Sequence, residues 1–124
     1  MLASNQMVGF VITTNAVRAR EFYEKTLGFS FVSEDQFALV MKTDGNQLRI
    51  ATVADFVAAQ HTVLGWQVQR IEAVAAWLKS RGVTFERYSW AQQDALGIWA
   101  APGGAKVAWF KDPDGNVLSI SEHP

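Results

Sequence analysis

Two glycines, Gly28 and Gly82, close helix-patterned runs and stand 54 residues apart. Before the first, "AVRAREFYEKTLGF" sets Ala16, Ala19, Phe22, Tyr23 and Leu27 at helical spacing behind a candidate N-cap, Asn15. Before the second, "IEAVAAWLKSRGV" puts Ile71, Val74, Ala75 and Leu78 on one face. Glycine just past a helix takes the left-handed conformation that other residues resist. Each helix is preceded by a strand-like run, "MVGFVITT" and "TVLGWQV". "FSFVSE", "FALVMKTD" and "QLRIATV" follow the first helix, with a hairpin expected at "DGN" (44–46). "TFERYSW", "GIWAA", "KVAWF" and "VLSIS" follow the second. The order strand, helix, strands therefore occurs twice. We expect one α+β domain over 1–124, with module one at 1–58, module two at 59–124 and "ADFVAAQ" (54–60) as linker.

The most distinctive short stretch is "WFKDPDGN", Trp109 to Asn116. A calcium loop needs glycine at its sixth position and a bidentate glutamate at its twelfth. Counted from Asp112, the glycine is fourth and the twelfth residue is His123. Calcium is excluded and a turn remains. Pro113 pre-sets φ, and Asp114-Gly115 supplies residues that tolerate positive φ.

Composition narrows the function. A chain of 124 residues is long enough for a real core. Eleven basic residues against twelve acidic ones, scattered along the chain, argue against nucleic acid and anionic membranes as partners. The lack of cysteine removes disulfides, thiolate nucleophiles and Cys-ligated zinc together. The first residues show neither a basic n-region nor a spanning apolar run, so the expected compartment is the cytoplasm. Five tryptophans and eight phenylalanines are unusual for this length; most are expected to pack the core, and the question is whether some face a cavity.

The runs "RAREFYEKTLGF", "AVAAWLKSRGV" and "WFKDPDGNVLSI" resemble those of the vicinal oxygen chelate superfamily. That group includes glyoxalase I, bleomycin- and fosfomycin-resistance proteins and extradiol dioxygenases. The resemblance covers essentially the whole chain. It implies paired βαβββ modules curled into a half-barrel sheet around a cleft, and a homodimer. It also implies a divalent metal on four strand positions, which here hold Val8, Arg49, Val63 and Ser119. Valine has no lone pair and guanidinium no acceptor, so these cannot hold a catalytic metal. Neither a metal nor a cofactor is expected. A relocated site would have to use His61 and His123, which share strand parity with Val63 and Ser119 and would need a carboxylate beside them.

On the same inference, period-two alternation turns Val8, Phe10 and Ile12, then Val63, Gly65 and Gln67, then Val107, Trp109, Ser119 and Ser121 toward the cleft. Arg49 would be the single charge in an apolar hollow, aimed at an anion. Neither serine has nearby in sequence the base that a nucleophile needs, and the family's chemistry is not acyl transfer. "YSWAQQDALGIW" (88–99) suits a lid or a dimer contact. The expected ligand-binding residues are Phe10, Arg49, Gln67, Trp109 and Ser119, and the expected partner is a small molecule. Three functions compete. The first is a metal-independent binder that sequesters an aromatic or amphipathic anionic compound. The second is a glyoxalase-like lyase, isomerase or dioxygenase with a relocated metal. The third is a domain with a filled cleft that serves a partner protein.

Overall fold

The computed structural model describes all 124 residues and separates into two compact units, Met1–Val57 and Ala58–Pro124. In the first, strand β1 (Val8–Thr13) leads to helix α1 (Ala16–Glu21), then to β2 (Ser30–Glu34), β3 (Ala38–Thr43) and β4 (Asn46–Thr52). The sheet order is β1-β4-β3-β2, with β1 parallel to β4 and the other pairs antiparallel. Asn15 caps α1 by accepting a hydrogen bond from Arg18 N–H at 3.1 Å. The expected continuous helix to Leu27 instead widens into a π-turn over Phe22–Thr26, with Leu27 N–H donating to the Phe22 carbonyl. Gly28, at φ +85°, then closes it through Phe29 N–H and the Tyr23 carbonyl. The turn brings Tyr23 and Phe29 together at 5.7 Å between rings. Both join Val11, Leu39, Met41, Leu48 and Ile50 in the core between α1 and one face of the sheet.

The second unit repeats the plan. Strand β5 (Thr62–Gln67), helix α2 (Ile71–Ser80), β6 (Trp99–Ala100), β7 (Lys106–Lys111) and β8 (Val117–Glu122) form a sheet ordered β5-β8-β7-β6. Ile71, Ala75 and Leu78 are buried on the face of α2 that their spacing implied, above Ala108, Phe110, Leu118 and Ile120. Turn 112–116 is held by a carboxylate. Asp112, 5% exposed, accepts from Asp114 N–H, Asn116 N–H and Asn116 Nδ2 at 3.0, 2.9 and 2.8 Å. Asn116 is itself 3% exposed, so the turn owes its shape to this buried pair as well as to Gly115 at φ +87°.

One expected strand is absent. "TFERYSW" forms no ladder, although it has the right composition. Glu86 N–H still donates to the Trp109 carbonyl of β7 at 2.8 Å, but Gln93 takes the next bonds, donating from Nε2 to the Glu86 carbonyl at 2.9 Å and accepting from Tyr88 N–H at 2.9 Å. A side-chain amide satisfies the backbone that a neighbouring strand would otherwise have paired.

Candidate functional site

Each sheet has one face on its helix and one open face. In the first unit Leu48 and Ile50 are buried under α1, so Arg49 between them points the other way. It stands directly across from Phe10 on β1 and Val40 on β3. Phe10 is 62% exposed and Val8 40%, and Ile12 shares their face. Arg49 is also exposed, so the charge expected in an apolar hollow is solvated within this unit. The reason is local: Phe10 and Val8, its neighbours on β1, are themselves uncovered. The Asp35 carboxyl sits below its usual range mainly because Ala38 and Phe37 N–H donate to it, with Arg49 a smaller influence.

In the second unit the open face carries Gly65 and Gln67 of β5, Ser119 and Ser121 of β8, Val107 and Trp109 of β7, and Trp99 of β6. Trp109 lies directly across from Ser119, and Ser119 across from Gly65. A Cβ at Gly65 would come within 2.7 Å of Ser119 Oγ, so any side chain there requires the hydroxyl to move. Gln67 pairs with Ser121 and is exposed. Ser121 and His123 Nε2 lie 3.1 Å apart, so Ser121 does have an imidazole partner, at the exposed end of the strand.

Four rings gather over this face. Trp109 meets Tyr88 at 5.3 Å, Trp90 at 5.5 Å and Trp99 at 5.9 Å between centroids. Trp90 stacks on Tyr88 at 5.8 Å and meets Trp99 edge-on at 5.0 Å. Such edge-to-face and stacked pairs are worth about 0.5–1.5 kcal/mol each beyond burial. Trp90 remains 62% exposed at the top of the cluster. Burial pushes the Tyr88 phenol up; Glu86 adds to this and Lys111 opposes it. The segment that supplies Tyr88 and Trp90 is tied down. Gln93 Nε2 also donates to the Gly97 carbonyl at 2.7 Å, and Asp94 accepts from Leu96 and Ile98 N–H at 2.9 Å. These polar groups of a segment expected to serve as a lid or a dimer contact are spent on the backbone.

The residues present do not fit a metal. Val8 stands across from Gln47, Val63 falls in a bulge between Thr62 and Leu64, and Ser119 and Arg49 complete the four positions. No group of three or more His, Asp or Glu side chains converges anywhere in the chain. The rim site on His61 and His123 is corrected outright. His61 precedes β5 and His123 follows β8, and these two strands are parallel, so the imidazoles lie at opposite ends. Six residues of β8 at ~3.3 Å each separate them by roughly 20 Å. Parity was the wrong guide because it fixes the face of a sheet and not the end.

The sequence reading missed Tyr88 and Lys111. Tyr88 opens the segment 88–99 but also belongs to "TFERYSW", whose composition implies a strand. Lys111 shares the parity of Trp109 and was legible from that alone.

Paired βαβββ units, each with an open sheet face and without a metal-binding set, define a fold class with known relatives. The profile of the Glyoxalase/Bleomycin resistance protein/Dioxygenase superfamily matches residues 5–120. The chain belongs to this superfamily. A superfamily member from Sphaerobacter thermophilus is similar to it at 22% identity, TM-score 0.75, over 99% of this chain and 100% of that one. A glyoxalase family protein from Enterococcus faecalis is 24% identical, TM-score 0.71, over 98% and 100%. A lactoylglutathione lyase from Agrobacterium tumefaciens is 18% identical, TM-score 0.70, over 96% and 93%. At these identities the likeness extends to the fold. No match was found among curated proteins. No helix is long and apolar enough to cross a membrane.

Proposed function

We propose that this protein is a metal-independent small-molecule binder that sequesters an aromatic or amphipathic anion on the open face of its second sheet. The observation that carries the reading is the cluster of Tyr88, Trp90, Trp99 and Trp109, on one face, with Trp90 left 62% exposed. An uncovered tryptophan on a supported aromatic base offers a stacking surface. Ser119 and Gln67 place a hydroxyl and an amide on the same face, the usual few polar groups among apolar walls. The metal chemistry of the superfamily's enzymes lacks its ligands here, which favours binding over catalysis.

Fluorescence titration with benzoate tests this. Saturable quenching that disappears in Trp90→Ala supports the reading. Quenching that is linear in benzoate, or unchanged in Trp90→Ala, overturns it. A homodimer belongs to the same proposal, because Val8 and Phe10 leave apolar surface exposed in the first unit. Sedimentation equilibrium giving a monomer mass would remove that part.

A further inference from the structure

Beside the aromatic cluster, the second unit has a half-open hollow of about 330 Å³. Its walls come from three separate stretches: Ala58 and Gln60 ahead of β5, Tyr88 of the irregular segment, and Lys111, Gly115 and Val117 around turn 112–116. The volume lies at the small end of the roughly 300–1,000 Å³ typical of ligand pockets, which suits one ring and a head group. Lys111 is the only charged side chain among the lining residues. It is two residues from Trp109 on β7 and on the same face of the sheet, so the hollow continues the open face. The floor is Val117, buried and paired with both Lys111 and Thr62. Tyr88 joins the two regions, because its ring touches Trp90 and Trp109 and also lines the hollow.

The ammonium of Lys111 is loosely engaged. Its one ion pair, with Glu86, spans 3.5 Å and both side chains are partly exposed. Such a pair contributes little and is easily exchanged. Gly115 also borders the hollow. It sits at φ +87°, and a Cβ there would meet Ala58 Cβ at 3.5 Å, so the turn and the segment ahead of β5 approach closely at this edge.

Building on the aromatic-anion reading above, we propose that this hollow is the acid subsite, taking the carboxylate of a single-ring aromatic acid. Lys111 is its counter-ion, Gln60 a neutral donor and Tyr88 the wall against the ring. The charge that meets the ligand is then Lys111 and not Arg49. A carboxylate gains from a charge-assisted hydrogen bond that the corresponding amide lacks.

The test is nitrogen–proton correlation NMR of the full chain, titrated with benzoate and, separately, with benzamide. Benzoate is expected to shift the Gly115 and Ala59 amides and to bind about tenfold more tightly than benzamide. Lys111→Met should remove that preference, whereas Lys111→Arg should keep it. Well-dispersed spectra of both variants show that the fold is intact. Benzoate that shifts the Trp90 and Trp99 indole signals but not Gly115, with equal affinity in Lys111→Met, overturns the subsite and leaves the aromatic-face reading standing. No saturable shift anywhere with either compound overturns both.

Discussion

The carboxylate of Glu122, at the end of β8, accepts a hydrogen bond at 3.0 Å from the backbone N–H of Ile71, the first residue of α2. Arg70 occupies the N-cap position and its side chain makes no capping bond, so the cap is supplied from 51 residues away. A carboxylate at a helix N-terminus satisfies an orphan N–H and opposes the helix dipole. Replacing a good cap costs roughly 1 kcal/mol. Glu122→Ala should therefore lower the unfolding free energy by about that amount in urea titration, with Glu122→Gln in between.

The Gly65–Ser119 approach predicts a coupling. Gly65→Ala puts a methyl within 2.7 Å of Ser119 Oγ and 3.4 Å of its carbonyl. Overpacking of this kind costs about 1–3 kcal/mol. The loss should shrink when Ser119→Ala is added, since the nearer clash is gone. A double-mutant cycle in which the two effects simply add would show that the hydroxyl rotates away at no cost.

Gln93 should behave as a structural residue despite lying in an aromatic, polar segment. Its amide makes three hydrogen bonds to backbone groups of Glu86, Tyr88 and Gly97. Gln93→Ala leaves those groups unpaired, at about 1–3 kcal/mol. The same variant should red-shift tryptophan emission as Trp90 and Trp99 lose their support. Unchanged stability with unchanged emission would mean that water replaces the amide completely.

Stability should also depend on pH through Glu72 and Lys106, 2.7 Å apart. The hydrogen bond from Lys106 holds the Glu72 carboxyl below its ordinary 4.5 and lifts the Lys106 ammonium above 10.5. A depressed acid binds fewer protons folded than unfolded, so its contribution is full above 4.5 and falls away as pH drops through the lowered value. The raised ammonium contributes fully below 10.5 and loses that contribution as pH climbs through its folded value. Both groups are solvent-exposed, so the effects are modest and salt-sensitive. Glu72→Gln should flatten the acid limb of a stability–pH profile, and an unaltered limb would assign it elsewhere.

Much of the fold was legible because its signals are local. Asn15, Gly28 and Gly82 punctuate the helices, and period-two alternation put Arg49 on the face away from Leu48 and Ile50. What sequence could not supply was partnership at a distance. Gln93 takes backbone bonds that a ladder in "TFERYSW" would have used, Glu122 caps a helix from the last strand, and His61 and His123 share a parity but no end. The site divides in the same way. Trp109 and Ser119 fall on one open face as alternation implies, whereas Tyr88 and the stretch 58–60 reach it only through the tertiary path of the chain.

Binding is expected to need no metal, which equilibrium dialysis of chelator-stripped protein against benzoate can decide. One dissociation constant is expected, the same after zinc, nickel or manganese is restored, with no stoichiometric metal retained. Binding that appears only when a divalent metal is added back, or a metal held one-to-one through dialysis, would contradict it.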